Sequence, residues 1–316
     1  MPLSREPVKP LALQWNYYNP ANDTPDRDDP IMPLPPSIPL AVPGAVTFDL
    51  AASDDGRLYR IFLCVPDLPP PPGGFPSLTM LDANAGFATL VEAMRRGMRR
   101  TPATGIAPTV LIGIGYPTDG IYDHERRTFD YTAGPSADPD ASRDSTATGG
   151  RNAFLAFIEH DLKPILHETC RLDASRETLF GHSLAGYFAL DLWTRGESSF
   201  RSFMSVSPSI WWDEKRLLDA LERRKPGDSI LSICIGEWEQ ALAPWQEESP
   251  DAAMLRARRN RRGMVDRARA FAEQAGQRAG PGRVGFELMD GEDHASIVPR
   301  AMIRALKLAA NQNATT

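Results

Sequence analysis

A serine hydroxyl attacks carbonyl carbon only when a base takes its proton, and one stretch of this chain is built to expose such a serine. It reads Leu179-Phe180-Gly181-His182-Ser183-Leu184-Ala185-Gly186. A short apolar run, Thr178 to Phe180, leads in, and Tyr187 to Trp193 leads out with helical spacing. That is strand, sharp turn and helix with Ser183 at the apex, the Gly-x-Ser-x-Gly elbow. The turn strains the serine backbone, so residues two before and two after it must be small. Gly181 meets this fully, while Ala185 replaces the second glycine and Gly186 follows it. Alone, the match also fits a tight strand–helix turn with an exposed serine, so its partners must decide.

A serine of this kind needs a histidine base, and the histidine needs a carboxylate to hold its tautomer. In the elbow architecture the chain order is serine, acid, histidine, each after a strand's carboxyl end. Of five histidines, His294 alone follows the last expected strand, in Asp290-Gly291-Glu292-Asp293-His294. His124 falls in an irregular insertion, His160 and His167 on a helix face, and His182 beside the serine. The acid should follow the strand ending at Ile235, in Gly236-Glu237-Trp238-Glu239. Glu239 suits the reach to the histidine. Glu237 competes closely, Asp213 and Asp290 lie further off, and the glutamate not used as acid is expected to hold the loop through backbone amides. Two N–H groups must face the oxyanion. One is expected from Leu184, at the helix start, and the other from Asn84 after the strand ending Leu81-Asp82, with Ala83 as its alternative.

The elements that must position these groups follow from pattern. Residues 1–44 are proline-rich and aperiodic, an extended arm, and 45–316 carry the strand and helix patterns of one α/β domain. Val46–Leu50 and Leu58–Val65 alternate across a turn, whereas Thr109–Gly115 is continuously apolar, as in a parallel strand covered on both faces. The spacing predicts a helix from Phe154 that Pro164 kinks or ends early, and one long Arg- and Ala-rich helix from Met254 to about Gln277. Polar, irregular residues 117–150, together with 209–228, read as lid-like insertions. Strands alternating with helices imply a mostly parallel sheet with an antiparallel start.

The 316-residue chain has a formal net charge of -6, which gives no basis for nucleic-acid binding or a polybasic membrane anchor. Three cysteines show neither metal spacing nor a disulfide framework, no run is long enough to span a bilayer, and no apolar leader precedes the domain. The expectation is a cytoplasmic protein that needs no cofactor or metal for its chemistry.

With elbow, acid loop and histidine loop placed, the chain from about Val46 to Leu308 resembles the esterase branch of the α/β-hydrolases. Within it, the chain is most similar to siderophore esterases that cleave enterobactin- and bacillibactin-type trilactones. The resemblance rests on Met80-Leu81-Asp82-Ala83-Asn84, Gly113-Ile114-Gly115-Tyr116-Pro117, Arg126-Arg127-Thr128-Phe129-Asp130-Tyr131-Thr132, Gly181-His182-Ser183, Ser207-Pro208-Ser209-Ile210-Trp211-Trp212 and Gly291-Glu292-Asp293-His294. Ala83 and Ala185 stand where the family usually has glycine. The resemblance implies a serine esterase acting through an acyl-enzyme on a small-molecule ester, extending to a ferric siderophore in intracellular iron release. It also implies that some members work with a Ser–His dyad, which bears on Glu239 more than on Ser183 or His294. Related activities on the same machinery are carboxylesterases and thioesterases of the S-formylglutathione hydrolase kind; a binding module without catalysis is the reading from another class.

Substrate contacts are expected from two residue types. Arg126 and Arg127 either grip a planar anion such as a ferric catecholate or anchor their own loop through Asp130. Trp211, Trp212, Trp238 and Trp245 all follow strands on the catalytic edge, where they form either core or an aromatic wall for an acyl group. Arg256, Arg258, Arg259, Arg261 and Arg262 read as a solvated helix face, with attraction of an anionic ligand as the other reading.

Overall fold

The computed structural model describes residues 41–138 and 147–310. The expected proline-rich arm thus lies outside the described residues over 1–40, as does 139–146 of the first insertion. Eight strands among the described residues form one sheet: β1 (Ala45–Ala51), β2 (Leu58–Cys64), β3 (Phe75–Leu81), β4 (Val110–Gly115), β5 (Leu172–His182), β6 (Ser202–Val206), β7 (Ile230–Gly236) and β8 (Val284–Met289). Their order across the sheet is β1-β2-β4-β3-β5-β6-β7-β8. β2 runs antiparallel to both β1 and β4, and every other pairing is parallel. The chain builds outward from β3 to β4, then returns to the other side of β3 with β5. That reversal opens a crevice beyond the carboxyl ends of β3 and β5, where ligands bind in open α/β sheets.

Helices α1 (Phe87–Met98), α2 (Thr101–Thr104), α3 (His124–Tyr131), α4 (Arg151–Ala156), α5 (Lys163–Thr169), α6 (Leu184–Arg195), α7 (Glu214–Glu222), α8 (Ala252–Arg262), α9 (Met264–Ala279) and α10 (Ile297–Ala310) complete the order. Side chains alternate across each strand, so neighbours feed opposite cores. Met80, Phe180 and Met204 pack with Phe87 and Leu90 of α1 and Met302 and Leu306 of α10. Leu81, Leu179 and Phe203 pack on the other face with Phe154, Phe188 and Trp193 and with Phe271 of α9. The sheet is covered on both sides, as its apolar runs require.

Two expectations change. Pro164 does not end its helix: α4 and α5 are joined through a π-helical stretch, Phe157–Leu162. There the Lys163 N–H donates to the Ile158 carbonyl five residues back, and the widened turn takes up the missing N–H and the ring of Pro164. The long Arg- and Ala-rich helix is two, broken at Gly263, which adopts φ 50° and ψ 44° and ends α8 in a left-handed cap. Within 209–228, expected as a lid-like insertion, α7 buries Leu217 and Leu221 in the same core as α6.

A charged cluster secures the helix that leaves the elbow. Asp191 of α6 is buried, and its carboxylate takes the Arg151 Nε at 2.6 Å and the Arg195 Nε at 2.9 Å, with the Arg216 Nε 3.6 Å away. Removing one partner of a buried pair strands the other charge. Asp191→Ala should therefore lower the unfolding free energy by about 3–5 kcal/mol in urea titration. Lys215→Ala, which opens the exposed pair with Asp219, should leave the midpoint nearly in place.

Candidate active site

Three polar side chains from three strand ends meet at the crevice. Ser183 closes β5 and caps α6 with φ 61° and ψ −117°, a conformation that side chains rarely adopt. Its backbone is tied on both sides to the end of β6: its N–H donates to the Val206 carbonyl (2.9 Å), and its carbonyl accepts from the Ser209 N–H (3.1 Å). Gly181 makes the turn possible, since a Cβ there would stand 2.2 Å from the Ala185 carbonyl oxygen. Residue 181, not 185, carries the steric demand, which is why Ala185 fits.

His294 lies in the loop between β8 and α10, with Nε2 3.1 Å from Ser183 Oγ and Nδ1 2.6 Å from Glu239 Oε2. Glu239 follows β7 and is 3 % exposed. Its other oxygen accepts from the Gly236 N–H (2.8 Å) and from the Ser207 hydroxyl. An ionised carboxylate only accepts, so Nδ1 of His294 carries the hydrogen and Nε2 offers its lone pair to the Ser183 hydroxyl. A proton can thus pass from Ser183 to an imidazole whose positive charge Glu239 would balance.

The histidine loop is fixed by its neighbours. Gly236 lets it approach, because a Cβ there would stand 2.5 Å from the Glu292 carbonyl oxygen. That carbonyl accepts from the Trp238 N–H at 3.0 Å. Glu237, the competing acid, accepts from the Gly291 N–H at 2.8 Å and so holds the loop through backbone. Asp293 accepts from the Ala295 and Ser296 N–H groups at 2.8 and 2.9 Å. Burial would raise the Asp293 carboxyl, yet these hydrogen bonds keep it below its ordinary value. Asp213 instead caps α7, accepting from the Arg216 N–H.

Sequence reasoning assigned no role to His182. Its Nε2 lies 2.7 Å from the His294 carbonyl oxygen and its ring 4.6 Å from the His294 ring. Burial, with the neighbouring His294, holds its pKa well below 6.5, so it is a neutral donor to that carbonyl. Ser207 and Ser209 were also missed as contacts: the first donates to Glu239, and the second places its Oγ 3.4 Å from Ser183 Oγ. Their position after β6, beside the serine's own strand, was the available signal.

The remaining expected site residues divide. Leu184 opens α6, so its N–H falls in the first helical turn, without an intrahelical acceptor. Asn84 lies in a short 3-10 turn after Asp82, and its side chain bonds the Tyr116 N–H (2.9 Å) and the Tyr116 carbonyl (3.0 Å). A cavity of about 220 Å³ beside Ser183 and His294 is lined by Trp211, Trp238, Leu255, Met264 and three arginines of α8. Trp212 is not on it; this ring is buried and its Nε1 donates to the Gly134 carbonyl at 3.2 Å. Nor is Arg126, which reaches the Leu58 carbonyl (3.3 Å) and lies 4.0 Å from the buried Asp130. Burial pushes that Asp130 carboxyl up to about 6, against the pull of Arg126. Arg127 forks onto Asp82 at 2.7 and 3.2 Å. Of the pair, Arg126 anchors weakly through Asp130 and Arg127 anchors through Asp82.

Residues 56–279 match the protein-family model described as "Putative esterase". The chain is 33% identical to the ferri-bacillibactin esterase of Bacillus subtilis over 279 residues, covering 85% of this chain and 91% of that protein. The chain belongs to this esterase family. It is a carboxylic ester hydrolase of α/β-hydrolase fold. The siderophore triacetylfusarinine C esterase of Aspergillus fumigatus is 30% identical over 288 residues, covering 85% of this chain and 94% of the relative. A solved siderophore hydrolase of Aspergillus nidulans superposes with a TM-score of 0.75 at 28% identity, over 89% of the esterase described here and 99% of its own chain.

The state of His182 makes the esterase's stability depend on pH. In the unfolded chain this imidazole binds a proton near pH 6.5, while the folded chain resists it. Stability is therefore full above that value and falls as pH drops below it. In His182→Gln, thermal midpoints measured between pH 7 and about 5 should decline less steeply than in the parent. Parallel declines would mean that His182 does not titrate in this range.

Proposed function

We propose that this esterase hydrolyses siderophore esters by nucleophilic catalysis, releasing iron by opening the chelating ester. Ser183 Oγ attacks the ester carbonyl as His294 Nε2 takes its proton. Glu239 holds the imidazole and balances the charge it gains, and the backbone N–H groups of Leu184 and Asn84 face the oxyanion. His294 then returns the proton to the departing alkoxide. Water, deprotonated by the same histidine, attacks the Ser183 acyl-enzyme; the acyl–Oγ bond breaks, His294 returns the proton to Ser183 Oγ, and the acid is freed. The observation that carries this reading is the unbroken hydrogen-bonded row Ser183–His294–Glu239 at one end of an aromatic cavity. The substrate class is supported by the printed activities of the bacterial and fungal relatives. Three buried free cysteines fit a reducing compartment, and we place the reaction in the cytoplasm.

The cavity's size favours a second reading. A cavity of about 220 Å³ is small beside typical ligand pockets, which also suits a carboxylesterase of small acyl groups. The two readings part on substrate. Purified parent and Ser183→Ala protein would be given iron-free and ferric forms of a catecholate trilactone, alongside short p-nitrophenyl esters. Siderophore hydrolysis predicts fast trilactone cleavage that Ser183→Ala reduces at least about a thousand-fold. Cleavage of the nitrophenyl esters alone would leave the small-acyl reading.

The acid's role has its own measurement. Glu239→Gln should lower kcat by roughly a hundred-fold less than His294→Ala, since the base remains when only its orienter is lost. Equal turnover in Glu239→Gln and the parent would indicate a Ser–His dyad.

A further inference from the structure

Four residues of α8 that line the cavity, Leu255, Arg258, Arg259 and Arg262, fall at i, i+3, i+4 and i+7. That spacing is one face of a helix, the face that ordinarily carries apolar residues toward a core. Here it carries three arginines that line the same cavity as Ser183 and His294. The neutralisation of the surrounding arginines is uneven. Arg256 pairs with Glu247, and Arg261 and Arg262 lie 3.7 and 3.1 Å from Asp138. Arg262 also stacks 3.7 Å over the Trp211 ring. Arg259 gives its hydrogens to neutral oxygens, the Ala241 carbonyl (2.6 Å) and the Gln246 amide (2.9 Å), and feels Asp293 and Glu239 only at longer range. Arg258 is exposed at the rim, and no carboxylate among the described residues stands within ion-pair distance of it. It stands one turn from Arg262, a like-charge pair that an isolated helix disfavours. Burial and this neighbour both act against the Arg262 charge.

We propose that this face of α8 is an anion-selective wall, with Arg258 as the specificity-determining residue for polyanionic aromatic esters over neutral ones. The inference deepens the siderophore reading and rests on it for the identity of the natural ester. An anion on the wall relieves the Arg258–Arg262 repulsion, and Trp211 and Trp238 offer flat apolar surface to an aromatic ring beside it. A ferric tris-catecholate carries the charge required; the same ligand without iron, its catechols protonated, does not. The wall should therefore favour the loaded chelate, with the added affinity expressed in KM.

The test compares two pairs of esters in the parent, Arg258→Gln and Arg258→Lys. One pair is the ferric and iron-free trilactone; the other is the p-nitrophenyl half-ester of succinic acid and neutral p-nitrophenyl acetate. In Arg258→Gln the ratio of kcat/KM for the anionic to the neutral member should fall about ten-fold, mainly through KM. Arg258→Lys should restore most of that ratio. Added salt should erode the parent's preference for the anionic member and leave little to erode in Arg258→Gln. An equal loss on both members, or a preference insensitive to salt, overturns the wall. If the half-ester obeys these rules while no trilactone is cleaved, the wall stands and the siderophore reading fails.

Discussion

The loops at the carboxyl edge of the sheet depend on one buried carboxylate. Glu239 sits beneath the surface and accepts hydrogen bonds from three separate segments: Ser207 after β6, Gly236 at the end of β7 and His294 after β8. A charge placed there without donors would be strongly destabilising, so the three segments are obliged to converge on it. Their convergence brings the imidazole to Ser183. The carboxylate therefore both organises the loops and holds the His294 ring.

Backbone strain is gathered at the same edge. The non-glycine residues with positive φ among the described ones are Asp82, Ser183 and Ser207, at or just beyond the ends of β3, β5 and β6. Each is held by bonds from elsewhere in the fold. Asp82 is gripped by Arg127 and by the Tyr131 hydroxyl, and the Ser207 N–H donates to the Cys234 carbonyl. The rigid parallel sheet, buried on both faces, supplies the support that such local cost requires.

The break at Gly263 has a consequence at the cavity. Because α8 ends there in a left-handed cap, α9 is free to pack Ala268 and Phe271 into the core, while α8 buries only Ala252. A single continuous helix would have to serve both tasks with one direction. The division leaves α8 to present arginines where a core helix would present leucines.

The sequence alone picked out two of the side chains that meet at the candidate site. The elbow around Ser183, the order of strand ends and the only histidine beyond the last strand identify Ser183 and His294, because these depend on local spacing and chain order. It also marked four tryptophans, of which Trp211 and Trp238 line the cavity, and it expected the glutamate not chosen as acid to bond backbone, as Glu237 does at Gly291. Which arginines face the cavity was decided by tertiary structure. Arg126, which the sequence leaves open as a substrate clamp or a loop anchor through Asp130, turns to Leu58 and Asp130. The α8 arginines look like a solvated face, yet three of them line the cavity that Ser183 also lines. Trp212 and Trp211 are adjacent in the chain, but one ring is core and the other lines the cavity. Chain spacing fixes which residues share a helix face or a strand end. The partner across the gap is fixed only when separate elements pack, since burial and charge pairing are properties of the assembled surfaces.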